Sequence, residues 1–295
     1  MKTRLITGTC YVLVLAAFYC LKIFVHDLCF DVLTYIFALI GTFEMLRAMK
    51  ERVTDTQKLM VSVFSVFCIP ACALFEYYFG TGLQIVGVCL FALVTLLLLA
   101  LIAEHEQTSL ESVGTSLLCA VYPTLLLSLL VVGNHVQPTE NLQKYAFNSN
   151  LFILFVFVIS PCADSIAYVF GRFFRGKFPK KMAPKLSPNK TVIGGIGGLV
   201  GGMLGAAVVY CIHNAVSGSF AQAYIWLPIY LFVGLMASAA TELGDLVESC
   251  IKRKVDVKDM GKLMPGHGGV MDRIDGTLFA SIAVYFVFMI VYLFA

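Results

Sequence analysis

Between two long apolar runs near the C-terminus, the stretch from Ser249 to Gly276 reads SCIKRKVDVKDMGKLMPGHGGVMDRIDG. It gathers Lys252, Arg253, Lys258, Asp259, His267, Asp272, Arg273 and Asp275 around a glycine-rich turn. Packing into lipid needs no such mixture of signs, so this island reads as a place where cations and carboxylates meet a polyanion at the membrane face. Upstream, Ser238, Glu242, Asp245 and Ser249 follow at steps of 4, 3 and 4, which puts them on one helical face leading into the island. Downstream, Gly266-His267-Gly268-Gly269 makes a turn, and Asp272 and Asp275 share a face in the first turn of the next helix, where acidic groups suit the helix dipole. Capping accounts for one of them. Carboxylates converging from two helices would form an all-oxygen site suited to Mg²⁺, with lysines and arginines neutralising the other phosphate oxygens. That chemistry is phosphoryl or nucleotidyl transfer, in which a protein mainly positions groups and stabilises charge. The other histidines, His26, His105, His135 and His213, are too scattered to suggest zinc.

A second polar stretch begins at Ser160. Asp164 lies among apolar residues, at a depth where an ionisable group is expensive unless it faces a cavity or a partner, so a functional role is expected. Then come seven basic residues and no acidic one: Arg172, Arg175, Lys177, Lys180, Lys181, Lys185 and Lys190. Orientation and attraction to anionic headgroups explain most of them. Lys190 stands apart, because Ser187-Pro188-Asn189-Lys190-Thr191 sets a stiffened turn, a lysine and a hydroxyl at the mouth of a helix, where free N–H groups suit a phosphate. Gly194, Gly198, Gly202 and Ala206 recur every four residues and form a smooth stripe for close helix packing, within one chain or in a homodimer. The spacing of a P-loop is absent.

The elements that hold these residues must cross a membrane. Of the 295 residues 13% are charged and 59% hydrophobic, with a mean hydropathy of +0.87, outside the range of soluble domains. Runs of about 20 apolar residues, enough for a bilayer core of about 30 Å, occur nine times. They cover approximately 5–24, 29–46, 59–79, 82–103, 111–133, 149–170, 192–212, 223–247 and 277–295. The expected fold is an all-α, polytopic integral membrane protein, with five helices in 1–150 and a catalytic region of four helices and two basic loops in 151–295. With the N-terminus in the cytoplasm, 19 of the 21 basic residues fall on that side and only Lys22 and Lys144 on the other. A bacterial-type inner membrane fits this pattern. Asp31, Glu44 and Glu76, near span ends, are expected to reach the headgroups, and Gly133 to Asn150 to form an external loop. The ten cysteines lie mostly in apolar spans without CxxC pairing and read as small hydrophobes. Met1 to Cys20 has the basic start and apolar run of a signal peptide but no small-x-small cleavage site after it, so a retained first span is expected.

Taken together, Ser249-x-x-Lys252-Arg253, Lys258-Asp259-x-Gly261, Pro265-Gly266-His267-Gly268-Gly269 and Asp272-Arg273-x-Asp275 resemble the C-terminal signature of the phosphatidate cytidylyltransferases, or CDP-diacylglycerol synthases. Asp164-x-x-Ala167-Tyr168-x-x-Gly171-Arg172, Ser187-Pro188-x-Lys190-Thr191 and Gly244-Asp245-Leu246 are similar to upstream motifs of that family. Two positions depart from its pattern: Ile193, where an acidic residue is frequent, and Met264, where Leu or Ile is usual. The resemblance implies that CTP and phosphatidate give CDP-diacylglycerol and pyrophosphate, with Mg²⁺, at the cytoplasmic face. It implies Asp245 and Asp272 as metal ligands, with Asp275 and Asp259 supporting them or adding to the shell. Lys190, Lys252, Arg253, Lys258 and Arg273 would contact phosphates, His267 would contact phosphate or hold the glycine turn, and Asp164, Ser187, Thr191 and Ser249 would line the substrate site. Two other classes compete with this one. A CTP-dependent lipid-alcohol kinase would need a base to activate a neutral hydroxyl. A transporter of anionic solutes should carry its charges near the midplane between internal repeats, of which none is visible.

Overall fold

The computed structural model describes residues 2–136, 147–217, 223–266 and 268–294. In chain order the elements are α1 (Lys2–Phe24), α2 (Leu28–Ala48), α3 (Asp55–Phe79), α4 (Gly82–Ala103), α5 (Leu110–Ala120), a π-helical turn (Val121–Leu125), α6 (Leu126–Asn134), α7 (Ser149–Phe173), β1 (Lys181–Ala183), β2 (Ser187–Thr191), α8 (Val192–Ser217), α9 (Ala223–Lys254) and α10 (Met271–Phe294). Among the described residues nine helical segments are long and apolar enough to cross a membrane, α5 to α6 counting as one span, Leu110–Asn134. The nine expected spans are all present. Helix ends differ more: α9 runs on to Lys254, and α10 starts at Met271, so both carry polar turns beyond their apolar runs. Apart from one β-hairpin the described fold is all-α.

The chain divides into two compact units, Met1–His135 with Val255–Ile274, and Val136–Lys254 with Asp275–Ala295. Residues 255–274, grouped from sequence with the C-terminal region, thus cluster with the N-terminal helices.

In the first unit, local caps set where helices begin. Thr54 accepts the Gln57 amide at 3.3 Å while Gln57 Oε1 accepts the Thr54 amide at 3.0 Å, a reciprocal capping box that opens α3. Ser109 and Ser112 repeat it at α5. The core is Phe30, Leu33, Phe37, Met45, Val61, Ile69, Leu97, Leu127 and Leu130. Where the π-helical turn with Pro123 widens the fifth span, the buried hydroxyls of Thr42, Ser65 and Thr124 bond one another at 3.0–3.1 Å. Two of the carboxylates expected to reach the headgroups, Asp31 and Glu44, are buried instead, while Glu76 is half-buried. Asp31 is buried and holds His135 Nε2 at 2.5 Å and Asn134 Nδ2 at 2.9 Å. Glu44 is buried as well, and Glu76 accepts the Gly82 amide at 2.7 Å. Buried charge must be paired or hydrogen-bonded, and neighbouring elements supply the partners.

In the second unit α8 lies between α7 and α9. A methyl on Gly201 would meet Cys162 O of α7 at 2.7 Å, and one on Gly202 would strike Ser238 of α9. Gly202 of the expected stripe therefore does pack helices closely, and Gly201 beside it adds a second close face toward α7. Phe147, Phe152, Phe155, Tyr210, Tyr230 and Phe288 form an aromatic core with ring centroids as near as 4.9 Å. The basic connection ahead of α8, read from sequence as plain loop, contains the hairpin β1–β2, antiparallel with Lys181 opposite Thr191 and Ala183 opposite Ser187. The ten cysteines are free thiols; Cys68, Cys72 and Cys119 are buried as expected, while Cys10, Cys20 and Cys211 are exposed on helix surfaces.

Candidate active site

In the second unit the site grows from α9. Its lower turns carry Glu242, Asp245, Glu248, Ser249, Lys252 and Arg253, the polar stripe continuing in unbroken helix. Strand β2 delivers Lys190, whose ammonium pairs with Asp245 and lies 3.8 Å from Glu242. Lys190 therefore neutralises two carboxylates rather than standing free at a helix mouth. The Thr191 hydroxyl, expected to line a substrate site, accepts the Gly194 amide at 3.1 Å and caps α8. Ser187 pairs in the hairpin, and Ser249 is half-buried on α9. Asp164, exposed on α7, lies close enough to interact electrostatically with Asp245, Asp275, Glu242 and Lys190. Asp275 accepts the Gly276 amide at 2.8 Å and lies close enough to Glu248, Lys252 and Asp245 to interact with them electrostatically. Glu248, fully buried, takes the Lys252 ammonium at 2.7 Å, one turn along the helix. Gly244 lets the α10 backbone come this close, since a methyl there would lie 2.6 Å from Asp275 O. Arg253 Nε donates to Leu186 O at 3.4 Å, tying the end of α9 to the hairpin.

In the first unit the island after α9 folds as a loop. Asp272 Oδ2 accepts the amides of Met260 at 2.9 Å and Gly269 at 2.8 Å, so one carboxylate oxygen is committed to the backbone. Gly268, at φ +86, supplies a conformation that L side chains rarely adopt, and Met264 N bonds Gly268 O at 2.8 Å to close the turn. The loop lines an open cavity of about 530 Å³, bordered by Lys258, Asp259, Lys262, Arg273 and the backbone of the glycine turn. Three cations and one carboxylate face it, a balance that favours an anion. Beneath it Glu44 of α2 accepts the amides of Val270 at 3.1 Å and Met271 at 2.9 Å. His267 lies outside the described residues.

The residues expected from sequence thus fall into two sets. Asp164, Lys190, Asp245, Asp275 and Lys252 belong to a carboxylate-rich cluster with Glu242 and Glu248. Lys258, Asp259 and Arg273 surround one cavity, with Asp272 bracing its wall. Sequence reasoning missed Glu248, Lys262 and Glu44. Glu248 stands four residues before Lys252, an (i, i+4) signal that was there to find. Glu44 had none, because 226 residues separate it from Val270.

The donors of the second-unit cluster are all carboxylate oxygens, without Cys or His, which is the chemistry of a hard ion such as Mg²⁺. Among the described residues no three His, Cys, Asp or Glu side chains are grouped as a ready-made metal cage. Mg²⁺ does not require one, since it takes one or two carboxylates and completes its shell with water and substrate phosphates.

Comparison with known proteins gives these arrangements a context. A family model described as the cytidylyltransferase family matches residues 2–291. A phosphatidate cytidylyltransferase of Bacillus subtilis is 31% identical over 288 residues, 97% of each chain. One from Staphylococcus saprophyticus is 41% identical over 128 residues, 43% of this chain and 45% of the relative, and one from Brucella abortus is 38% identical over 134 residues, 45% of each.

Proposed function

The chain belongs to the cytidylyltransferase family, and we infer from that premise that it is a membrane enzyme that makes CDP-diacylglycerol and pyrophosphate from CTP and phosphatidate. The observation that carries this reading is the likeness to a phosphatidate cytidylyltransferase along 97% of both chains. The charges of the two clusters suit the chemistry. In the transfer an oxygen of the lipid phosphate bonds to the α-phosphorus of CTP, the bond from that phosphorus to the oxygen leading to the β-phosphate breaks, and pyrophosphate leaves with the electron pair. The nucleophile is already an anion, so no strong base is needed. The barrier lies in bringing two polyanions together, and charge stabilisation lowers it.

Lys258, Lys262 and Arg273 would hold phosphate oxygens in the 530 Å³ cavity, with Asp259 setting the position of the neighbouring cations. In the first unit Asp272, which the resemblance implies as a ligand, commits one carboxylate oxygen to backbone amides; in the second, Asp245 and Asp275 would hold Mg²⁺. That ion, when bound, neutralises phosphate charge and makes the phosphorus more electrophilic. Lys190, released from Asp245 and Glu242, would turn to a phosphate, while Lys252 and Arg253 keep the end of α9 positive. The concentration of basic residues on one side of the nine spans supports a cytoplasmic site. CTP labelled at the α-phosphorus tests the reading: label should appear in the lipid product and not in pyrophosphate, whereas transfer of the γ-phosphorus to lipid would make the protein a kinase.

A further inference from the structure

We propose that Glu44 is a positioning residue for this reaction, a cap contributed by a distant helix that fixes the cation-bearing loop. Glu44 sits on α2 and is 4% exposed. Its two carboxylate oxygens accept the amides of Val270 and Met271, the start of α10. Amides at a helix start have no partner within the helix and normally find one in the side chain just before it. Here Gly269 and Val270 precede Met271 and offer no acceptor, so α2 provides it. Gly261 and Gly269 rest on the same carboxylate, and a methyl at either would collide with it.

One buried group therefore holds both arms of the loop: Gly261 lies between Asp259 and Lys262, while Val270 and Met271 lead directly to Arg273. Asp272 ties the arms from the other side through Met260 and Gly269. Glu44 is not among the residues lining the cavity. Its charge is also the wrong sign for a phosphate contact, so it acts through Lys258, Lys262 and Arg273 rather than on substrate. The cost of burying it is offset only because both oxygens are bonded.

The inference rests on the reading that this cavity takes substrate phosphates, and the test separates the two. Full-length parent, Glu44→Gln and Glu44→Ala are purified in detergent, and hydrogen exchange is followed alongside turnover of CTP and phosphatidate. Gln keeps the shape but turns one acceptor into a donor facing an N–H. In Glu44→Gln, amides of residues 260–271 should exchange about 10-fold faster or more, the scale of one hydrogen bond to a charged group, with α3 and α4 unchanged. The KM for a phosphate-bearing substrate should rise by a similar factor, and further in Glu44→Ala. Unchanged loop exchange, acceleration spread evenly through α2, α3 and α4, or kinetic constants within twofold of the parent would overturn the proposal. A parent that forms no CDP-diacylglycerol contradicts the functional reading, whereas an active parent matched by Glu44→Gln contradicts the role of Glu44 alone.

Discussion

At the level of single residues, the site differs from its sequence outline mainly in who pairs with whom. Lys190, expected to meet phosphate, is held by Asp245 and Glu242, an arrangement in which the lysine supplies positive charge that Mg²⁺ and substrate would rearrange. Replacing it with Met should lower kcat/KM for CTP about 10-fold or more, the value of a lost contact to a charged group; unchanged kinetics would mean that the pairing is only structural. Glu248 offers a contrast in magnitude. It is fully buried between Lys252 and Asp275, and removing one partner of a buried pair costs about 3–5 kcal/mol. The pair Lys50–Glu51, at 3.9 Å with both side chains exposed, contributes little. Glu248→Ala should therefore lower the melting temperature in detergent clearly, and Glu51→Ala should not. The acidic and basic types of the site could be read from sequence because polar residues in a greasy chain are conspicuous. Their pairing could not, since Glu44 meets its amides only after 226 residues of chain have folded.

Whole elements were easier to read, for a physical reason: a span of 18 or more apolar residues has few uses outside a bilayer. Ends were harder. The α10 start at Met271 lies ahead of its apolar run because Asp272 and Asp275 find backbone and side-chain partners that let helix continue through them. The hairpin β1–β2 was not legible, since strands of three and five residues carry too little alternation to register. The glycine stripe of α8 was legible because a four-residue recurrence has a simple geometric meaning. It makes a sharp prediction. Gly202→Ala would push a methyl into Ser238 and within 2.6 Å of Gly234 O, so it should reduce both stability and activity. Gly87→Ala on α4 meets nothing within 4 Å and removes a flexible residue from a helix, so it should be neutral or slightly stabilising. Equal melting temperatures for the two variants would contradict close packing on α8.

Across the molecule, nine apolar spans among the described residues mark an integral membrane protein, and the lopsided distribution of lysine and arginine predicts its direction. After replacement of the native cysteines, a single cysteine at Lys185 should react with an impermeant maleimide in inside-out vesicles and not in right-side-out ones; the reverse pattern would put the site on the outer face. Orientation matters to the proposed chemistry, because CTP and phosphatidate would have to reach the site from the same side of the membrane. The central claim is that carboxylates and cations together stage the transfer of a cytidylyl group onto a lipid phosphate. Its most direct test is CDP-diacylglycerol formation by purified protein with CTP, phosphatidate and a titration of Mg²⁺, comparing the parent with Asp245→Asn. The account predicts Mg²⁺-dependent product from the parent and a loss of about 100-fold or more in the variant, with an unchanged melting temperature; a variant within threefold of the parent at every Mg²⁺ concentration would contradict it.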